Sequence, residues 1–167
     1  MAEVYTAGYG NRGFDAFLAL LRRYEITHLV DVRSVPQSGY WEDFRKERLA
    51  LLIGQTEIKY VWMGDTLGGV ENSPVLCKDP DSVDLEPLRH EPKLALGVTK
   101  VIEAASDSSR KILLMCGCLR PHRCHRSRLL GPAFMEQGVE LLHLDDKGSL
   151  VPQRQVEIEA EPQGSLF

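Results

Sequence analysis

Apolar residues arrive along the chain in short bursts with two different rhythms. Residues 4–7 are a brief apolar run that stops at Gly8-Tyr9-Gly10-Asn11, the signature of a strand followed by a turn. Residues 13–24 place Phe14, Phe17, Leu18 and Leu21 at helical spacing and predict an amphipathic helix. Residues 27–32 (THLVDV) predict a second buried strand, and residues 33–40, which hold Pro36 and Gly39, a loop. Residues 42–53 predict a helix with Phe44, Leu49 and Leu52 on one side, and residues 58–62 a third strand. The pattern then lapses over residues 63–90, where Gly64, Gly68, Gly69, Pro74, Pro80 and Pro87 punctuate a long irregular excursion better suited to function than to packing. Helical spacing returns over residues 93–105 through Leu94, Leu96, Val98, Val101 and Ile102. Residues 111–115 (KILLM) form a strongly apolar strand, residues 125–137 a helix closed by Gly138, and residues 139–144 (VELLHL) a last buried strand.

Strands and helices alternate, and the strands are continuously apolar rather than alternating. That combination predicts an α/β fold: a single three-layer domain with a mostly parallel central sheet and helices on both faces. The domain is expected over residues 1–148 and a short C-terminal tail over residues 149–167. The DDKG turn at residues 145–148 has the composition to start a hairpin, and the acidic end, VEIEAEPQGSLF, reads as tail rather than core. In such sheets ligands bind beyond the carboxyl ends of the strands. Gly8-Tyr9-Gly10-Asn11, Asp31-Val32-Arg33-Ser34 and Cys116 are therefore expected along one edge.

Composition narrows the partners. The chain has 167 residues, a formal net charge of −4 and a pI near 5.7, which excludes nucleic-acid binding through bulk positive charge. Any polyanion must meet a local patch. No apolar run approaches the roughly 18 residues of a membrane span, and the first residues, MAEVYTAGYG, lack a basic start before an apolar stretch. A cytoplasmic location and no membrane partner are expected.

The candidate chemistry sits in residues 111–128, KILLMCGCLRPHRCHRSR. Three of the four cysteines, Cys116, Cys118 and Cys124, fall here with His125, and Cys77 stands apart. A disulfide framework would spread its cysteines over the chain, so the clustering points to a thiol or metal site. Residues 108–135 contain no acid, while Arg110, Lys111, Arg120, Arg123, Arg126 and Arg128 are all basic. A strand delivers the chain to a loop, and the loop feeds a helix start, whose exposed N–H groups and dipole favour an anion. Arg120, Arg123 and Arg126 would hold a phosphate-bearing ligand through charge-assisted bonds. The same positive field lowers a thiol pKa, making Cys116 or Cys124 a candidate nucleophile with His125 or Asp31 moving protons. Buried, inert cysteines or a solvated basic turn would produce the same composition. No cofactor is required by this reading. Zinc is the alternative, with Cys116, Cys118, Cys124 and His125 as ligands and His122 as a further donor, although C-x-C-x5-C-H is not the usual pair of C-x2-C knuckles.

Asp31 and Arg33 are a candidate acid/base or substrate-orienting pair, or else an ion pair that pins the following loop. Tyr9, Asn11, Arg12, Ser38 and Tyr40 would line the same cleft by position. Gly8-Tyr9-Gly10 lacks the third glycine of a dinucleotide fingerprint. Cys124 stands where a tyrosine-phosphatase-type loop needs an arginine.

The stretches TAGYGNRGFDAFLALL, HLVDVRSVPQSGYWEDFRKERL, IKYVWMGDTLGG and LLMCGCLRPHRCHRSRLL together resemble the successive signatures of domain-of-unknown-function family 488 over roughly residues 3–145. The resemblance implies a compact α/β domain with a polar cleft. It also implies that Gly8, Gly10, Asp31, Arg33, Pro36, Ser38, Gly68, Gly69, Cys116, Cys124, His125 and Arg126 are the family's characteristic positions. The family carries a Glu two residues after the first Cys, where this chain has Cys118. A fainter likeness to rhodanese-type sulfurtransferases rests on a strand-end Asp31-Val32-Arg33 and a later Cys116 loop.

The end of the chain, Gln163-Gly164-Ser165-Leu166-Phe167, resembles the pentapeptide that docks on the bacterial DNA sliding clamp, with Leu166 and Phe167 as apolar anchors and Gln163 and Ser165 making polar contacts. The sequence thus supports a cysteine-dependent enzyme of unassigned reaction. Its site would bind a phosphate-bearing small molecule or nucleic acid, with a link to DNA replication or repair through the clamp. The alternatives are a non-enzymatic zinc- or anion-binding adaptor and a rhodanese-like sulfurtransferase.

Overall fold

The computed structural model of the protein describes residues 2–68, 84–121 and 124–160. The elements in chain order are β1 (Val4–Gly8), α1 (Phe14–Arg23), β2 (His28–Asp31), a 3-10 turn (Glu42–Phe44), α2 (Lys46–Gly54) and β3 (Lys59–Trp62). They continue as α3 (Gly64–Leu67), α4 (Glu86–Arg89), α5 (Pro92–Ala105), β4 (Ile112–Cys116) and a π-helical turn (Arg126–Leu130) that runs into α6 (Gly131–Glu136). The described chain closes with β5 (Leu142–Leu144), β6 (Leu150–Pro152) and α7 (Gln153–Ala160).

The strands form one six-stranded sheet in the order β3-β2-β4-β1-β5-β6. Neighbours from β3 through β5 are parallel, and only β6 runs antiparallel, beside β5. This is the α/β fold with a mostly parallel sheet that the strand-helix alternation predicts. The period of two in each strand divides the core. Val4, Val30, Val32, Ile112, Leu114 and Cys116 pack on one face with Leu94, Val98 and Val101 of α5 and Phe134 of α6. Tyr5, Ala7, Leu29, Leu113 and Met115 pack on the other with Phe17 and Leu21 of α1 and Leu49 and Ile53 of α2. Both faces of β4 are covered, which is why it reads as an unbroken apolar run.

Two regions differ from the sequence expectation. The irregular excursion contains α3 and α4, each a single helical turn too short for periodicity to reveal. The tail expected from residue 149 is structured at its start. Asp145 Oδ1 accepts the backbone N–H groups of Lys147 and Ser149, turning β5 back into β6, and α7 follows directly. Gln153 and Val156 of α7 are buried. The acidic composition of this stretch belongs to the outer side of a docked helix and conceals the few positions that hold it.

Among the described residues, no helix is long and apolar enough to cross a membrane.

Candidate functional site: a buried thiol pair beside a buried arginine

The carboxyl edge of the sheet is built from three strand ends. Gly8 lies opposite Cys116 in the β1/β4 ladder, and Asp31 lies opposite Met115 in the β2/β4 ladder. Beyond the ladder, the N–H groups of Tyr9 and Gly10 donate to the carbonyls of Cys116 and Gly117 at 3.1 Å each. The approach of these two loops is close enough to require glycine. A Cβ on Gly8 would lie 1.6 Å from the Cys118 carbonyl oxygen, and Gly10 has φ +47° with the Leu119 side chain 2.5 Å from its Cβ position. The two glycines therefore act as spacers between backbones.

The sequence candidates meet at this edge, but their side chains divide between its two faces. Asp31 and Arg33 belong to the α1/α2 face. Arg33 donates to Asp31 through Nε at 2.9 Å and Nη2 at 2.8 Å, and its Nη1 reaches the Tyr9 hydroxyl at 3.3 Å. Tyr60 donates its hydroxyl to Asp31 Oδ2 at 2.6 Å. Burial and the Asp31 charge together push the Tyr60 pKa up, so it stays protonated as the donor. Tyr9 in turn stacks on Phe44 with centroids 4.1 Å apart. The pair is a closed, satisfied ion pair that fixes the exit of β2.

The sulfur atoms lie on the opposite face. Cys116 and Cys124 are free thiols, both buried, with Sγ atoms 2.7 Å apart. Cys118 is disulfide-bonded. The three Sγ atoms nevertheless lie within 4.8 Å of one another. Cys124 Sγ also accepts the backbone N–H of Arg126 at 3.5 Å and lies 3.7 Å from His125 Nδ1. His125 Nε2 is 3.2 Å from the Val32 carbonyl, tying the start of the π turn to the strand end that carries Asp31 and Arg33.

Arg126 is fully buried and lacks a carboxylate partner among the described residues. Its Nη1 donates to Thr6 Oγ1 at 3.1 Å and the Leu144 carbonyl at 3.4 Å; its Nη2 donates to the carbonyls of Cys118 at 3.3 Å and Leu119 at 2.9 Å. Its Nε is buried with no hydrogen-bond partner among the described residues. A guanidinium cannot shed its proton, so this charge needs a nearby anion. The thiol pair can supply it. Burial alone would raise the Cys116 pKa. The hydrogen bond from Cys124, the Arg126 charge, the Cys118 backbone and the Arg33 charge outweigh burial and lower it to about 7. Burial, the hydrogen bond to Cys116 and the Cys116 charge raise Cys124 well above an ordinary thiol. Within this coupled pair Cys116 is the more acidic thiol and Cys124 the one that keeps its proton longer.

A polar chain fixes Arg126 from behind. Thr6 and His143 face each other across β1 and β5, with Oγ1 and Nδ1 2.5 Å apart. His143 Nε2 meets Gln153 Oε1 at 2.6 Å, and Gln153 Nε2 donates to the Ser127 carbonyl at 2.8 Å and to Glu157 Oε1 at 2.8 Å. Those two donations fix which end of the Gln153 amide is oxygen, so His143 carries its proton on Nε2 and accepts from Thr6 on Nδ1. Every bond then runs one way from Arg126 to Glu157, the arrangement in which neighbouring bonds reinforce one another.

The π turn explains why the Ser127 carbonyl is available. The Gly131 N–H goes to the Arg126 carbonyl, and Pro132 has no N–H to offer the next one. Gly131 also leaves room for the amide, since a Cβ there would lie 2.2 Å from Gln153 Cδ.

Other candidates fall elsewhere. Arg120 is exposed, 4.0 Å from Asp146, so it does not converge with Arg126. Asn11 is exposed, Tyr40 is 85% exposed, and Ser38 accepts the Trp41 N–H in a local turn. Arg12 donates to the carbonyls of Gly8 and Asp145. Gly68 packs under Ser34. Gly69, His122, Arg123, Gln163, Ser165, Leu166 and Phe167 lie outside the described residues. A cavity of about 360 Å³ lies between β3 and α5, lined by His28, Trp62, Asp65, Thr66 and Lys100, and none of the thiols lines it.

Thr6, His143, Gln153 and Tyr60 were not among the sequence candidates. A polar residue inside each of two buried strands, Thr6 in VYTAG and His143 in VELLHL, is the signal that could have found the first two. Nothing in the acidic end of the chain distinguishes Gln153.

Fold and site together define an α/β domain with a buried thiol pair at the carboxyl edge of a parallel sheet, counterbalanced by a buried arginine. The chain matches the family described as Domain of unknown function DUF488 over residues 13–131 and belongs to that family. No curated protein and no solved structure matches the chain.

Proposed function

We propose that the protein is a cysteine-dependent enzyme whose reactive group is the Cys116 thiolate, acting on an anionic, phosphate-bearing ligand such as a nucleotide or a nucleic-acid end. The observation that carries this reading is the pairing of Cys116 and Cys124, 2.7 Å apart, with the buried, acid-free guanidinium of Arg126. An arginine kept from any carboxylate stabilises a thiolate, and a thiolate at a strand's carboxyl end is placed where parallel sheets present chemistry. The surplus positive charge of the segment supports an anionic ligand. Alkylation by iodoacetamide across pH tests the thiolate. Cys116 should react with a midpoint near 7, and a midpoint at the ordinary thiol value of about 8.5 would remove the nucleophile.

The clamp-docking pentapeptide Gln163–Phe167 begins three positions beyond Ala160, the last described residue of α7. It would bring the domain to replicating or repaired DNA. Removing the last five residues should abolish binding to a purified bacterial sliding clamp, and unchanged affinity would dispose of that link.

A second reading, a zinc-binding adaptor, is favoured by the three sulfurs within 4.8 Å of one another. Zinc would need the Cys118 thiolate released from its disulfide and His125 turned toward the sulfurs. Stoichiometric zinc in the purified protein would support it, and metal-free protein with a reactive Cys116 would exclude it.

A further inference from the structure

We propose that Cys116 and Cys124 form a redox-active dithiol that a hydroperoxide converts to an intramolecular disulfide, with Cys116 as the peroxidatic thiolate and Cys124 as the resolving thiol. The inference rests on the reading of Cys116 as the reactive sulfur and adds an activity and a substrate class to it.

The geometry is that of two thiols already in contact. Their Sγ atoms are 2.7 Å apart, and a disulfide bond is about 2.05 Å long, so closing the bond needs a side-chain movement well under an ångström. Both positions are held by backbone hydrogen bonds. Cys116 ends β4 inside the parallel ladder, and Cys124 is held by its backbone N–H on the Pro121 carbonyl and by the Arg126 N–H on its sulfur. The two sulfurs also have unequal surroundings. The Arg126 charge acts on both, but Cys116 at the strand end is the more acidic thiol, while the Cys124 pKa is raised and its sulfur lies beside His125. One sulfur therefore attacks and the other follows, as a two-step oxidation requires.

The chemistry balances. The Cys116 thiolate attacks one oxygen of the hydroperoxide and the O–O bond breaks. Cys116 becomes a sulfenic acid, and an alkoxide or hydroxide leaves and takes a proton. The Cys124 sulfur then attacks the sulfenic sulfur, its own proton joins the departing hydroxyl, and water leaves. Two thiols have lost two electrons, and the hydroperoxide has been reduced to an alcohol and water, or to two waters for hydrogen peroxide. Burial of both sulfurs disfavours a bulky oxidant such as a glutathione-sized disulfide, which must bring its own sulfur into line with Cys116.

The experiment uses the full chain. Protein with Cys116 and Cys124 as free thiols and the Cys118 disulfide intact, checked by alkylation beforehand, is treated with one equivalent of hydrogen peroxide at neutral pH, alkylated, digested and mapped by mass spectrometry. The expected product is a Cys116–Cys124 crosslink, lighter than the dithiol by two hydrogens. In Cys124→Ser, Cys116 should stop at a sulfenic acid that dimedone traps. Failure of the wild-type chain to form the crosslink, with both thiols still alkylatable or with Cys116 driven to sulfinic acid, overturns the proposal whether or not Cys124→Ser folds. A Cys116 alkylation midpoint near 7 without the crosslink defeats this inference alone; an ordinary midpoint defeats the reading beneath it.

Discussion

The Nε2 atom of His125 lies 3.2 Å from the carbonyl oxygen of Val32, joining the Cys-His-Arg segment to the Asp-Val-Arg segment across ninety-three positions of sequence. His125 is buried on every side, and burial, more than any neighbour, pulls its pKa down to about 4. At neutral pH it is an uncharged donor, and its function in the fold depends on remaining one.

Acid sensitivity follows from that histidine and from His143, whose pKa burial and the Arg126 charge lower to about 3. Both are bases with folded values below the unfolded 6.5. The unfolded chain therefore binds more protons as pH falls, and stability is lost on the acid side. Above pH 7 neither histidine contributes a slope, and the rise that remains comes from the Cys116 thiol, whose folded value of about 7 lies below that of an ordinary thiol. Between pH 6.5 and 4 it should fall with a slope approaching two protons, about 2.7 kcal/mol per pH unit. Urea midpoints measured from pH 8 to pH 5 check this. His125→Asn should roughly halve the slope, and an unchanged slope would mean that the titrating groups lie elsewhere.

Gly8 sets the distance between the β1 exit and the cysteine loop. Gly8→Ala places a methyl group 1.6 Å from the Cys118 carbonyl oxygen, a backbone atom that cannot rotate away. The loss should reach or exceed about 3 kcal/mol, the upper part of the range for overpacking. Gly54→Ala meets nothing within 4 Å at the end of α2 and should raise the unfolding midpoint slightly. Chemical denaturation of the two variants side by side separates crowding from backbone entropy.

Much of this fold is readable in the chain because its strands are buried on both faces. KILLM announces itself as an apolar run, THLVDV and VYTAG carry shorter apolar stretches, and the helices between them carry a period of 3.6. The meeting of the Asp31, Gly8 and Cys116 segments at one edge follows from parallel topology. The division of their side chains between two faces does not, because a shift of one residue along a strand exchanges its faces. Arg126 illustrates the same limit. Its charge and position suggest a ligand-facing guanidinium, yet it turns inward to Thr6 and to the carbonyls of Cys118 and Leu119. The sequence pattern cannot report that inward turn, because the oxygens that receive it come from β1 and from a loop.

Asp31 and Arg33 are buried together with two oxygen-to-nitrogen contacts below 3 Å. Asp31→Asn leaves the guanidinium without its counter-charge, and breaking a buried pair in this way costs about 3–5 kcal/mol. Tyr60→Phe removes only one hydrogen bond from the same carboxylate and should cost about 1.5–3 kcal/mol, the range for bonds to charged groups. Equal losses for the two variants would show that Tyr60, rather than the ion pair, anchors the end of β2.

Gln153 links the last described helix to the sulfurs without touching them. Its amide satisfies the His143 Nε2–H at one end and the Ser127 carbonyl at the other. Gln153→Ala strands both, at about 1–3 kcal/mol for each buried group left unpaired. A purely structural role would end there. If the chain through His143 and Thr6 holds Arg126 against the thiol pair, the variant should also move the Cys116 alkylation midpoint upward from about 7, because a looser guanidinium stabilises the thiolate less. Gln153→Glu keeps an acceptor for His143 but turns a carboxylate oxygen toward the Ser127 carbonyl and Glu157, so it should lose stability as well. A midpoint that stays fixed in Gln153→Ala while the unfolding curve shifts would confine α7 to packing and leave Arg126 positioned by the Leu144, Cys118 and Leu119 carbonyls.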